Sequence, residues 1–235
     1  MITGAPDDAE TLAVGALEWL LKAARDVDDG LTWPNTLADD EFNPTLYNGT
    51  SGVLPALLDA WRYFADDRYA DAALRGARSV ADAVDDWEDS GLYTGVAGMA
   101  VALQGVHRVL GDTAAGASAE RALDVLRSRY DGEGWNDYYE LIAGNAGIAV
   151  AALECGDLDL ADVLVADLAA RARTDGDGVR WSNLEHRETP SDLAPATGWA
   201  MGNAGIIREL LRHAHITANR DPRYAVPFPD HPPTD

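Results

Sequence analysis

Four times along this chain a Gly-x-x-Gly segment opens an apolar stretch with helical spacing. The copies are Leu46-Tyr47-Asn48-Gly49-Thr50-Ser51-Gly52, Leu92-Tyr93-Thr94-Gly95-Val96-Ala97-Gly98, Ile142-Ala143-Gly144-Asn145-Ala146-Gly147 and Trp199-Ala200-Met201-Gly202-Asn203-Ala204-Gly205. Their first glycines follow one another at intervals of 46, 49 and 58 residues. A period of that size marks one supersecondary unit used repeatedly. Such a unit does not bury its own apolar face and is stabilised by stacking on its neighbours.

The spacing of apolar residues fills in the unit. Thr11 to Val27 carries Leu12, Leu17, Trp19, Leu20 and Leu21 at helical intervals, with Gly30 beyond its end. Each glycine segment then opens a helix of small and aliphatic residues: Val53 to Phe64, Met99 to Leu110, Ile148 to Leu153 and Ile206 to Ile216. Between them, Tyr69 to Val84, Gly116 to Tyr130 and Leu158 to Arg173 carry Asp and Arg around a stripe of Ala, Leu and Val, as solvent-facing helices do. Four inner and four outer helices are expected, joined alternately by short turns such as Ala65-Asp66-Asp67 and by longer glycine-bearing loops. The fold class is all-α, a layered array of αα-hairpins. Brief extended pieces are expected at Gly178 to Trp181 and around Trp135. Residues 1–220 form the repeat domain, and the segment from Asp221 to Asp235, with five prolines, is a non-helical tail.

An array of only four hairpins is expected to leave inner-helix surface uncovered around Val53 to Leu57 or Ile206 to Leu210. The tail, with Tyr224, Val226 and Phe228, is the expected cover. A partner chain or oligomer is the alternative.

Charge excludes some functions. Forty acidic against eighteen basic residues give a formal charge of −22, which repels nucleic acids and anionic membranes and attracts cationic partners. Lys22 is the only lysine, a bias that fits either a GC-rich coding sequence or salt adaptation. Cys155 is the only cysteine, so no intramolecular disulfide forms and no thiolate cluster is available for metal. The N-terminal stretch runs directly into Asp7, Asp8 and Glu10 without a basic region and apolar core, so a cytoplasmic protein is expected.

The paired glycines admit two readings. They provide positive φ and close backbone approach, as packing devices. Alternatively, four helix N-termini with free amides converge on a central region suited to an anionic or carbonyl-bearing ligand. Asn48, Tyr93, Asn145, Trp199 and Asn203, at or beside the turns, are then the substrate-binding candidates. Asn145 and Asn203 read equally well as helix caps.

The repeated Leu-Tyr-x-Gly-x-x-Gly pattern resembles the lanthionine synthetase C-like (LanC-like) family. The stretch from Trp181 to Ile206, containing Glu185-His186-Arg187 and the fourth glycine turn, is similar to the closing part of its members, and the resemblance spans about Leu17 to Leu211. It implies an α/α toroid, complete or partial, built here from four αα-hairpin repeats. It also implies peptide modification, in which a zinc-activated cysteine thiol of a peptide adds to a dehydroamino acid. In the bacterial cyclases the zinc ligands are a cysteine in a Trp-Cys-x-Gly segment and an adjacent Cys-His pair before a later glycine. Here Ala200 follows Trp199, and no Cys-His-Gly segment occurs. Zinc activation needs about three protein ligands and an open position. His213 and His215, two apart on one helix, point to different faces, and Cys155 reads as a core residue. The expectation is a peptide-binding, accessory or degenerate member with no metal and no cofactor.

Other chemistry is open. Trp135-Asn136-Asp137-Tyr138-Tyr139-Glu140 brings two carboxylates and three aromatic rings ahead of the third turn, where Asp137 and Glu140 could serve as acid and base on a carbohydrate. The alternative is that Glu140 caps and Trp135 packs. His186 is either a general acid or base at the pocket rim or a salt-bridged loop anchor. A non-catalytic interaction module is the third class. The chain contains no phosphate-binding loop, nucleotide fingerprint or nucleophile elbow.

Overall fold

The structure is a computed structural model that describes residues 6–36, 38, 41–132, 134–176, 178–183 and 195–218. The helices among them are α1 (Pro6–Ala23), α2 (Thr50–Phe64), α3 (Asp67–Ala83), α4 (Val96–Leu110), α5 (Thr113–Ser128), α6 (Asn145–Cys155), α7 (Leu158–Arg171) and α8 (Asn203–Ala218). Two short antiparallel hairpins interrupt them, β1 (Arg25–Val27) with β2 (Gly30–Thr32) and β3 (Arg173–Asp175) with β4 (Gly178–Arg180).

The first helix therefore ends before the expected Val27. Arg25 to Val27 pairs instead with Gly30 to Thr32, around a turn with Asp28 at φ 52°. That hairpin lies against α3 so closely that a Cβ on Gly30 would fall 2.1 Å from Ser79 Oγ. Arg78 donates to the Asp29 carbonyl at 3.1 Å and Arg75 to the Gly30 carbonyl at 3.2 Å. The extended piece expected at Gly178 is found as β4, and none forms around Trp135 among the described residues.

Three hairpins, α2/α3, α4/α5 and α6/α7, share one connection. Each inner helix ends on a residue with left-handed backbone, Ala65 (φ 52°), Gly111 (φ 72°) or Gly156 (φ 80°). An aspartate follows and caps the outer helix. Asp66, Asp112 and Asp157 accept from the amides of Arg68, Ala115 and Leu160 at 3.0, 2.7 and 3.1 Å. A left-handed residue that closes one helix and a side-chain cap that opens the next give a tight reversal.

The inner helices pack in the order α2, α4, α6, α8. Val96, Ala97, Met99, Ala100 and Leu103 of α4 and Ala146, Ile148 and Ala149 of α6 are wholly buried, so the core runs along the middle of the arc. Among the described residues α8 packs on α6 and α7 and forms no comparable contact with α2, so the arc is open. The uncovered surface lies in part where the sequence suggests: Ala56 and Ile207 are exposed within the two expected stretches, whereas Leu54, Leu57 and Ile206 are buried. The open apolar positions on α8 are Ile207 and Leu211, 47% and 65% exposed. The tail from Asp221 onward lies outside the described residues.

Candidate functional site

Each glycine turn is built the same way. The first helical amide, of Thr50, Val96, Asn145 or Asn203, donates to the carbonyl seven residues earlier, of Asn43, Asp89, Tyr138 or Ala196, at 2.8, 2.9, 3.0 and 2.9 Å. The next amide repeats this to Pro44, Ser90, Tyr139 and Thr197, at 3.3–3.4 Å. The N-terminal amides are thus satisfied by their own loop, which corrects the expectation of free amides awaiting an anion.

Of the two roles expected of the glycines, positive φ is corrected and close backbone approach is found. Gly49, Gly95 and Gly144 have φ of −128°, −141° and −90°, backbone open to any residue. The constraint is space. A Cβ on Gly49, Gly95, Gly144 or Gly202 would lie 2.2–2.5 Å from backbone of the arriving loop. On Gly52, Gly98, Gly147 or Gly205 it would lie 2.0–2.4 Å from the carbonyl of Leu46, Leu92, Leu141 or Trp199.

The four turns are also bonded to one another. Tyr47 N donates to Tyr93 O at 2.9 Å, Tyr93 N to Ile142 O at 2.9 Å, and Leu141 N to Ala200 O at 3.1 Å. They form one row at one end of the helical layer, over the N-termini of the inner helices. Tyr47 and Trp199, 70% and 54% exposed, stand on that row with Met201, and Tyr93 is half-buried with its ring edge-on to Tyr47 at 6.4 Å. The Arg208 guanidinium lies 5.3 Å from the Trp199 ring centre. Asn48 is exposed, and its Oδ1 accepts from Asn43 Nδ2 at 2.9 Å and Thr45 Oγ1 at 3.2 Å. Beside the first turn opens a cavity of about 540 Å³, lined by Trp19, Trp33, Pro34, Tyr47 and Asn48 among others.

Neither asparagine that follows a first glycine caps its helix through the side chain. Asn145 is fully buried and donates to Asp167 Oδ2 at 2.8 Å, while Arg171 holds Asp167 Oδ1 at 2.7 Å. Asn203 accepts from Trp181 N at 2.8 Å and donates to the carbonyls of Trp181 and Ala196 at 3.1 and 2.8 Å, pinning two loop strands together. Glu140 is buried with both oxygens engaged by the turn: Oε1 accepts from Ala143 N at 3.1 Å and Oε2 from Ile142 N. Burial raises its carboxyl above the ordinary range, and those two amides oppose the rise. Asp137 is half-buried beside it in sequence, and His186 lies outside the described residues.

One set of structural residues is missed by the glycine repeat. Trp33, Trp135 and Trp181 each donate an indole N–H to a carbonyl in an outer helix, of Leu20, Leu126 and Leu168, at 2.8, 2.6 and 2.7 Å. Each anchors the loop that leads into a glycine turn. Their recurrence in the sequence is the signal that could have found them.

Among the described residues the metal-binding types do not fit a zinc centre at this row. Ala200 occupies the turn position after Trp199. Cys155 closes α6 at the opposite end, roughly 16 Å from the third turn at 1.5 Å per residue. Burial pushes its thiol up to about 12, the reverse of what a thiolate ligand needs. His107 Nδ1 is 2.8 Å from the Asp112 carbonyl, and His213 Nε2 is 2.6 Å from Asp162, both near the C-terminal ends of their helices. Among the described residues no three His, Cys, Asp or Glu side chains converge as a metal site, and no helix is long and apolar enough to cross a membrane.

Residues 40–226 match the family model described as lanthionine synthetase C-like protein. No curated protein matches the chain.

Proposed function

The chain belongs to the lanthionine synthetase C-like family, and from that premise we propose that it serves peptide modification as a peptide-binding member without a zinc centre. The peptide lies along the row of glycine turns. The observation that carries this reading is the continuity of that row: four turns bonded edge to edge, with Tyr47, Tyr93 and Trp199 available to a chain laid across them. Aromatic side chains offer large contact area at low entropic cost and dominate binding energies at such surfaces.

Asn48 and Tyr93 are the contacts near the first two turns, and Trp199 is the contact at the fourth. Asn145 and Asn203 act from behind, holding the third and fourth turns in place. The cavity beside Trp33 and Tyr47 receives one side chain of the peptide. A charge of −22 favours a cationic peptide and makes association fall with added salt. With no zinc donors at this row among the described residues, the chain's own residues bind and orient the peptide and leave thiol activation to another protein.

The test uses a basic peptide that carries one cysteine and one dehydroalanine. Fluorescence anisotropy should report saturable, salt-sensitive binding that Trp199→Ala and Tyr47→Ala both weaken. Titration of the free thiol should show loss at the uncatalysed rate. Thiol loss accelerated by the protein and dependent on added zinc would overturn the reading, as would binding indifferent to both substitutions.

A further inference from the structure

The repeat shows which surface each helix buries, and two of those surfaces are left open at opposite ends of the arc. On inner helices, the residue two after the second glycine faces the outer helix: Leu54 Cδ2 would lie 2.8 Å from a Cβ on Gly76 of α3. The residue six after it faces the next inner helix, since Leu58 Cδ1 would lie 3.7 Å from a Cβ on Gly105 of α4. Leu54 and Leu58 are buried. Their counterparts on α8 are Ile207 and Leu211, both exposed.

The opposite end shows the complementary deficit. The indole bonds to Leu20, Leu126 and Leu168 align α1 with the outer helices α5 and α7. Seven and four residues before those leucines stand Ala13 and Ala16 on α1, Ala119 and Ala122 on α5, and Ala161 and Leu164 on α7. The pairs on α5 and α7 are buried under α4 and α6, whereas Ala13 and Ala16 are exposed. On α2, Ala56 is exposed where its counterparts Ala102 and Ala151 are buried by the preceding inner helix. These open positions line a groove of about 590 Å³ between α1 and α2, with Glu10 and Asp59 at its walls.

The groove therefore presents one outer-helix face and one inner-helix face, the two kinds of face that α2, α4 and α6 each pack against. The helix that matches is α8, whose open face carries Ile207 and Leu211 with Arg208 beside them to meet the two carboxylates. We infer that α8 of a second copy of this chain seats in the α1/α2 groove, and that two copies exchange α8 reciprocally to close a ring of eight inner helices. The contact is head-to-tail and repeats the packing that already joins α2 to α4, so it continues an interface the fold already uses. This inference rests on helix packing alone and not on the peptide reading.

The test is the oligomeric state of the full chain by analytical ultracentrifugation at tens of micromolar. The wild type should sediment at twice the chain mass. Leu211→Asp, at an exposed position, and Ala16→Trp, which fills the groove, should each sediment at the chain mass with an unchanged far-ultraviolet dichroism spectrum. Mixed one to one, these two variants should recover a dimer weaker than the wild type's, held by one of its two contacts, because one keeps an intact α8 and the other an intact groove. That recovery separates head-to-tail exchange from a symmetric α8-to-α8 contact, and it requires both variants to be folded. A monomeric wild type, the result if residues 219–235 or another part of the same chain cover α8, overturns the inference. So does dimerisation that survives both substitutions, or a mixture that stays monomeric.

Discussion

The third and fourth glycine turns both place an asparagine directly after the first glycine, and the two asparagines do different things. Asn145 is wholly buried, tied through Asp167 to Arg171 of α7. Asn203 bonds only to backbone, of Trp181 and Ala196, and its neighbours Trp199 and Met201 are exposed. The difference follows from what stands behind each turn. The third has α7 at its back and α4 and α8 at its sides, so its polar groups must find partners in the interior. Among the described residues the fourth has neighbours on one side only. One motif thus yields an enclosed turn in one place and an accessible one in another.

The largest effect should come from breaking the enclosed turn. Asp167→Ala leaves the Arg171 guanidinium and the Asn145 amide buried without their carboxylate. The expected loss is roughly 3–5 kcal/mol of stability, the range for removing one partner of a buried pair. Urea denaturation measures it, and a loss no larger than that of an exposed substitution would show the third turn to be as tolerant as the fourth. Next comes Gly98→Ala, whose Cβ would lie 2.0 Å from the Leu92 carbonyl. It should cost about 1–3 kcal/mol of overpacking strain.

At the fourth turn, Asn203→Ala removes the acceptor for the Trp181 amide and two bonds to carbonyls. It should cost about 1–3 kcal/mol, less than Asp167→Ala because water can reach part of the site. Equal costs for the two would erase the distinction between the turns. Trp199→Ala should change stability by no more than about 0.5 kcal/mol while weakening peptide binding at least about tenfold, as expected of an exposed aromatic anchor.

The subtlest test concerns Glu209 on α8. It is buried without a hydrogen-bond partner where Ala56, Ala102 and Ala151 stand in the other repeats. Burial raises its carboxyl above the ordinary range, and Arg212 and Arg208 only partly oppose this. The folded chain therefore holds this proton at a higher pH than the unfolded chain does, and stability falls as pH rises through the folded value. Glu209→Gln should melt above the wild type at pH 8, with the gap narrowing toward pH 5. A gap that does not change with pH would mean the carboxylate is ionised in the fold at no cost.

Much of this architecture is legible in the residues. The glycine repeat and the helical spacing locate the inner and outer layers, and the family resemblance is carried by the same turns. The boundary at Ala23 is not legible, because the strand from Arg25 forms only against Gly30 to Thr32, with α3 behind that hairpin. For the glycines the sequence offers two reasons and does not choose between them. Space and positive φ leave the same letter in the sequence, and only the 2.0–2.5 Å approaches tell them apart. At the candidate site, Asn48, Tyr93 and Trp199 do share the row, but the enclosure of Asn145 and Glu140 depends on Asp167 and on turn amides whose proximity no local pattern reports.

The sequence by itself determined the unit: where a helix opens, which of its faces is apolar, and that Ala200, not a cysteine, follows Trp199. Those properties depend on neighbours along the chain and on side-chain chemistry, so they can be read in order. The tertiary structure alone decided which copies of the unit are enclosed and which are open. Burial depends on how many neighbouring repeats flank each helix, and Leu54 and Ile207, equivalent in the repeat, differ only in what is packed against them.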